Sequence, residues 1–282
     1  MPAGDLARAD AFAKRQLERT STDVVPFEGG TAFLDRDFPR RYDSNLLWIE
    51  EPGQERVDRW LAEADRILGG RGYHHRKVVV PDPDAQRRLE VGFAEHGYGI
   101  DRVVLMVHHE EPQHEEPRRE YDLTVVEEVS FGDVRPLIET IARRQPWATD
   151  EGVVRELADY PGKYARATGC RFFTVRIAGE LVGSCELLVD GAEAAVDSVD
   201  TLQEHRNRGH ASAFVLAAVR AAREEGASWV HLWADVEDWP QHWYRRLGFR
   251  PAAEVADFLR WPEDEGPKVQ GASSGAKSPD RA

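Results

Sequence analysis

The chain is short of several things, and each shortage closes off a class of protein. Among 282 residues there are two cysteines, Cys170 and Cys185. Two cannot build a disulfide framework, and without CxxC spacing they make neither a zinc site nor a redox pair. No run approaches the roughly 18 apolar residues of a spanning helix. The opening stretch MPAGDLARADAFAKRQLERT has no apolar core of the kind a secretory signal needs. A cytoplasmic protein without a membrane partner is the expectation. Basic residues are also short, 37 Lys and Arg against 51 Asp and Glu, a net charge of −14. Phosphate backbones are bound by faces rich in Lys and Arg, so no nucleic-acid partner is expected. An acidic surface suits a cationic or neutral small substrate, although solubility alone accounts for it equally.

What remains is a globular balance, 41% apolar and 31% charged residues, in a length that suits two modest domains. The segment from residue 108 to 121, HHEEPQHEEPRREY, is charged, has two prolines and lacks an apolar period. It reads as a linker, with 111–121 as its centre. Residues 262–282 carry almost no apolar side chains and read as a disordered tail. Between them, 122–261 alternates strand and helix. DLTVVEEV is a strand by its Val and Thr content. DVRPLIETIARRQ places Val134, Leu137, Ile138 and Ile141 at helical spacing. DEGVVRELADYPGKYARAT reads as a shorter helix ending before Pro161. RFFTVRIAGELVGSCELLVDG is a hairpin turning at Ala178 and Gly179. AAVDSVDTL, AFVLAAVRAAREEG, SWVHLWADV, DWPQHWYRRLGF and PAAEVADFLRW follow as strand, helix, strand, helix and strand. The expected class is α/β, a mixed central sheet with helices on both faces. In the first half, RVDRWLAEADRILGGRGYHHRKVVVPDPDAQRRLEVGFAEHGYGIDRVVLMV repeats the helix, strand, helix, strand order of the ending. That reads as an internal duplication, with 1–110 as the first copy.

One loop stands out within the second half. Residues 206–212 read RNRGHAS, directly before the long apolar helix. A helix start has unpaired N–H groups and positive partial charge, which makes it an anion site. Gly209 lets backbone approach an anion closely, and Ala211 and Ser212 keep the next turn open. Arg206 and Arg208 add charge at the entrance. On physics alone the loop fits a pyrophosphate cradle or a simple turn. The first copy has EEPGQER at the matching place and lacks the loop.

Arg206, Gly209 and Ala211 match an [Q/R]-x-x-G-x-[G/A] signature, and WYRRLGF matches a helix ending in Leu-Gly-Phe. With the order of elements over 122–261, this resembles the GCN5-related N-acetyltransferase (GNAT) superfamily. The first half resembles a degenerate copy, as in tandem GNAT proteins. The resemblance implies acetyl-CoA as co-substrate. Its pyrophosphate would lie on Arg206, Asn207, Arg208, Gly209, His210, Ala211 and Ser212, and its pantetheine on Val199 and Thr201. The Val199 amide would face the thioester carbonyl, where charge develops during transfer. The resemblance makes Tyr244 the proton donor to the leaving thiolate, which suits a phenol still protonated at neutral pH. A tyrosine packed for structure alone is the other reading. Many relatives carry a glutamate where this chain has Ala195. Asp197, two residues on, shares that strand face if no bulge intervenes, and Glu186 on the preceding strand is the second candidate base. A strand-edge carboxylate facing water is the alternative for each.

His205, His210 and His242 lack metal spacing, so no metal is expected. Trp229 and Trp233 share a strand face and read as core. Trp147 either lines an acceptor pocket or packs beneath its loop. Asp238 caps the helix starting at Pro240. The expected function is transfer of an acetyl group from acetyl-CoA to a small-molecule amine, a metabolite or antibiotic. A homodimer is compatible with it. Protein or peptide N-acetylation and a non-catalytic acyl-CoA-binding sensor are the alternatives.

Overall fold

The computed structural model describes residues 2–54, 56–108, 124–145, 148, 150–236 and 239–262. They form two compact units. The first holds the described residues up to Val103 together with those from Glu254 on; the second holds Val104–Ala253. The sequence reading placed a boundary at 110 and kept 254–261 with the second half. The chain instead changes unit inside two strands, β5 (Gly99–His108) and β11 (Phe249–Arg260). A hydrophobic period does not show which neighbour a strand end joins. The expected linker and tail lie outside the described residues, apart from Pro262 at the tail's edge.

The first unit begins with α1 (Pro2–Thr20), β1 (Asp23–Phe27), β2 (Gly30–Leu34) and β3 (Leu46–Ile49), then α2 (Val57–Ile67), β4 (Arg76–Val79) and α3 (Pro83–Glu95). β1, β2 and β3 pair antiparallel in turn, β3 pairs parallel with β4, and β4 pairs antiparallel with the end of β11, Asp257 opposite Val79. The Asp82 carboxylate caps α3 by accepting from the Asp84 and Ala85 amides, with Pro83 in the first turn where a missing N–H costs nothing. Trp60, Phe93 and Phe258 are fully buried, and the last two rings stack at 4.3 Å. The Gln86 amide holds the end of β11, accepting from the Ala256 N–H at 2.9 Å.

A charged group is buried in this unit. Lys77 on β4 is ion-paired with Asp43, and with Asp257 at 3.1 Å. The ammonium holds the Asp43 carboxyl well below the usual carboxylate range. His75, fully buried, donates through Nε2 to the Asn45 carbonyl at 2.8 Å. Burial pushes its pKa down to about 4. On α1, burial and then the charge of Asp257 push Asp10 up to about 7.

The second unit runs β6 (Val126–Val129), α4 (Phe131–Arg143), α5 (Glu151–Thr168), β7 (Arg171–Ile177), β8 (Glu180–Asp190), β9 (Glu193–Thr201), α6 (His210–Glu224), β10 (Trp229–Asp235) and α7 (Pro240–Arg246), with the end of β5 and the start of β11. The order of elements is the one read from the sequence. β6, β7, β8 and β9 pair antiparallel in turn and β9 pairs parallel with β10, a mixed sheet. Adjacent residues on β7 face opposite sides. Phe172 packs with Val134 and Leu137 of α4, and Phe173 joins the cluster that holds Phe214 and Val215 of α6. Helices therefore cover both faces, as expected.

One helix differs from expectation. α5 continues through Pro161 to Thr168. Proline removes one N–H, but Pro161 is buried, and the next residue is Gly162, where a Cβ would stand 2.4 Å from Phe131. Close packing of α4 against α5 outweighs the lost bond. Among the described residues, no helix is long and apolar enough to cross a membrane.

Candidate active site

β9 and β10 are hydrogen-bonded only from Glu193/Trp229 to Ala195/His231. Beyond that point β9 continues to Thr201 and β10 to Asp235 without pairing to each other. Two parallel strands that part in mid-sheet leave unused backbone groups facing a gap, and such groups seek partners.

β9 is also bulged. Asp197 lies opposite Glu186, yet Asp200 lies opposite Ser184. Two residues of β9, Ser198 and Val199, stand against Cys185 alone. Ser198 takes the left-handed conformation, φ +50°, and its N–H donates to the Asp197 carboxylate at 2.7 Å. The bulge lies after Asp197, so Asp197 does share the face of Ala195, as the sequence reading required. An extra residue reverses the alternation beyond it. Asp200 therefore joins Asp197 and Glu186 on one face. Sequence reasoning passed over Asp200 because, on a regular strand, it faces the other way. Nothing in DSVD announces the reversal.

The three carboxylates differ in setting. Asp197 is exposed and Asp200 half-buried. Glu186 is buried, with the Cys170 thiol donating to it at 3.8 Å. Burial, then the charge of Glu186, raises the Cys170 thiol well above its usual range. Burial likewise raises Tyr164 of α5, reinforced by Cys170, Asp197 and Glu186. Asp200 is pushed up to about 6 by burial, opposed by Arg206 and reinforced by Asp197.

After β9, a 3-10 turn over Gln203–His205 leads into RNRGHAS. Arg206 folds back, its Nε donating to the Thr201 carbonyl at 3.0 Å, and so fixes the loop to the strand end. Asn207 and Gly209 are both left-handed, φ +60° and +80°. Gly209 is the N-cap of α6, and no side chain caps this helix. Its positive φ is a reason for glycine beyond the open approach. Arg208 and Asn207 are exposed; His210 and Ala211 are half-buried. Nδ1 of His205 and of His210 is buried without a hydrogen bond, and His210 is lowered by burial, His205 and Arg208. Ser212 is buried and accepts from Trp243 Nε1 at 2.9 Å. Val199 packs against the core cluster, and the Thr201 hydroxyl is buried without a partner.

Tyr244 of α7 is 6% exposed. Burial, then Asp197, Cys185 and Asp200, raises its hydroxyl far above the usual phenol range, and no hydrogen bond contributes. Its ring packs in the cluster that holds Cys185, Phe214 and Val215. Asp197 and Glu186 stand opposite each other on the other face of β8 and β9, and the loop from Arg206 to Ser212 follows β9. Trp229 is buried, as expected of a core residue, and Trp233 is half-buried. Trp147 and Asp238 lie outside the described residues. Among the described residues no group of His, Cys, Asp and Glu has metal-binding geometry.

Comparison with known proteins gives this arrangement a class. Residues 135–249 match the model of the acetyltransferase (GNAT) family. This segment is a GNAT domain. Among solved structures, a functionally unknown conserved protein from Staphylococcus epidermidis aligns at 14% identity with TM-score 0.64, over 86% of this chain and 94% of that one. A GCN5-related N-acetyltransferase from Kribbella flavida aligns at 19% and 0.63, over 90% and 95%. Another from Sphaerobacter thermophilus aligns at 16% and 0.55, over 82% and 76%. At these identities the likeness is one of fold. No curated protein matches the chain.

Proposed function

We propose that the second unit is an acetyl-CoA-dependent N-acetyltransferase whose acceptor is a small-molecule amine. The observation that carries the reading is the parting of β9 from β10 beside a helix start that no side chain caps. The residues suit the donor. The free amides at the start of α6, with Gly209 left-handed and Arg208 exposed beside them, are a cradle for pyrophosphate. The edge of β9 that parts from β10, at Val199 and at Thr201 with its carbonyl held by Arg206, suits the amide groups of pantetheine. When bound, acetyl-CoA supplies the acetyl group as a thioester.

The chain's own residues do the rest. The Val199 amide stabilises developing negative charge on the acyl oxygen. Tyr244, kept protonated by its buried setting, gives its proton to the departing sulfur. A carboxylate of the β9 face receives the proton that the acceptor nitrogen must lose. The first unit is a degenerate copy that shapes or supports the acceptor side; EEPGQER stands where the second has its loop.

Calorimetric titration with acetyl-CoA, followed by thiol release across a panel of amines, tests the reading. Tight binding and amine-dependent release are expected. Binding without release for every amine would make the chain an acyl-CoA sensor, and absence of binding would end the reading altogether.

A further inference from the structure

We propose that Arg144 and Glu204 are positioning residues for acetyl-CoA: together they clasp the pyrophosphate loop to the end of α4 and hold it in its binding shape. The inference rests on the acetyltransferase reading and deepens it by assigning what keeps the donor loop in place. At the root of that loop stands a residue that charge alone argues against. Glu204 lies in the 3-10 turn, two residues before Arg206, and a carboxylate there opposes the anion the loop is to bind. Hydrogen bonding to Arg144 holds its carboxyl down to about 2, so it stays ionised at neutral pH. Such a residue helps the loop only through what it holds.

What it holds is α4. Arg144, at the end of that helix, donates from Nη1 to Glu204 Oε2 at 2.8 Å and from Nη2 to Glu204 Oε1 at 3.2 Å. The planar guanidinium meets the planar carboxylate in a fork, which fixes orientation as well as distance. A second contact runs beside it. Leu202, which opens the turn, packs against the cluster of Val134, Leu137 and Phe172, and its N–H donates to the Val182 carbonyl at 2.9 Å. The end of α4 is itself anchored: the neighbouring Arg143 pairs with Glu139 on its own helix and with Glu151 at the start of α5. The turn is thus pinned on both sides, by Leu202 and Glu204 to α4 and by Arg206 to the Thr201 carbonyl.

The pair does little for the fold. Arg144 is 48% and Glu204 52% exposed, and ion pairs in water contribute almost nothing to stability. Its effect is local. An anion site made of successive backbone N–H groups works only while those groups converge. Asn207 and Gly209, both left-handed, make the turns that bring them together, and the clasp fixes where that stretch begins. The effect is also reciprocal: whatever the clasp adds to acetyl-CoA binding, bound acetyl-CoA adds to the clasp.

Free CoA, which carries the same pyrophosphate and no acyl group to lose, is the probe. Removing a negative charge beside an anion site should tighten binding on charge alone; the clasp predicts the opposite sign. In calorimetry, Glu204→Gln should bind CoA about 3- to 5-fold more weakly than wild type. Arg144→Gln should do likewise, with thermal melts of the CoA-free proteins close to wild type. The exchanged pair, Arg144→Glu with Glu204→Arg, should recover most of the affinity that Arg144→Glu loses. Glu139→Gln, which removes ion pairs within α4, should leave CoA affinity unchanged. In hydrogen exchange, CoA should slow the amides in the last turn of α4 in wild type and not in Glu204→Gln. Unchanged or tighter CoA binding by Glu204→Gln overturns the proposal. So does an equal loss in Glu139→Gln, or a wild type that binds CoA with no change at the end of α4. If Glu204→Gln does not fold, failure of the exchanged pair to recover affinity overturns it equally. Wild type that binds no CoA at all would overturn the underlying acetyltransferase reading, and this proposal with it.

Discussion

The indole Nε1 of Trp243 donates to the Ser212 hydroxyl at 2.9 Å. The helix carrying Tyr244 is thereby tied to the first turn of α6, the turn that follows Gly209. Trp243 also lies 4.6 Å from the Tyr244 ring. Trp243→Phe keeps an aromatic body but leaves a buried hydroxyl without its donor, a loss of about 1–2 kcal/mol. In urea unfolding, the double variant with Ser212→Ala should be less destabilised than the sum of the single variants, with a coupling of about 1 kcal/mol. Strict additivity would mean the two helices are held together by packing alone.

Tyr244→Phe separates chemistry from binding. The ring packs against Phe249 at 5.8 Å, and Phe keeps that contact. Turnover should fall about 10- to 1,000-fold with acetyl-CoA affinity nearly unchanged. Undiminished turnover would remove Tyr244 from the mechanism.

Gly209 stands at φ +80°, so any side chain there costs about 1 kcal/mol in backbone strain. Gly209→Ala bears that cost alone and should weaken acetyl-CoA binding modestly. Gly209→Glu adds bulk and a negative charge at the start of α6. Losing two charge-assisted hydrogen bonds, at about 1.5–3 kcal/mol each, weakens binding by some two orders of magnitude or more. Calorimetry should also count one acetyl-CoA per chain, because EEPGQER offers glutamates and a proline where the second unit offers amides.

Asp10 gives a stability prediction in the first unit. Its folded pKa, about 7, lies above the usual aspartate value of 3.8. The folded state therefore holds a proton that the unfolded chain has lost over this window. Stability from this group is fully present below pH ~4 and is lost as pH rises through ~7. Asp10→Asn should be more stable than wild type near pH 8, by about 1–2 kcal/mol after allowance for partial solvent screening, and so unfold at a higher temperature. The difference should vanish near pH 4. Thermal melts across that range decide it; a constant difference would mean Asp10 is not set by burial.

The order of strands and helices from residue 122 on was legible because hydrophobic period and turn residues are local signals. The loop was legible because Arg206, Gly209 and Ala211 lie within six residues of each other. Three features were not. The bulge that turns Asp200 follows from pairing with β8, and a residue such as Ser198 has no local mark of it. Pro161 looked like a stop because the packing of Gly162 on Phe131 is invisible along the chain. The buried Lys77, between Asp43 and Asp257, joins residues far apart in sequence, and no spacing rule connects them.

The change of unit inside β11 has a consequence for how the chain is made. The first unit pairs β4 with residues 257–260, which the ribosome adds some 180 residues after Val79. Until then Lys77 lacks Asp257, Phe93 lacks the ring that stacks on it, and the edge of β4 is open. Closing so long a stretch of chain is slow compared with forming local contacts. The second unit's hairpins, β7 with β8 and β8 with β9, are complete well before that moment. Synthesis thus runs from the first unit to the second, but completion runs the other way: the part of the protein that begins first is finished last.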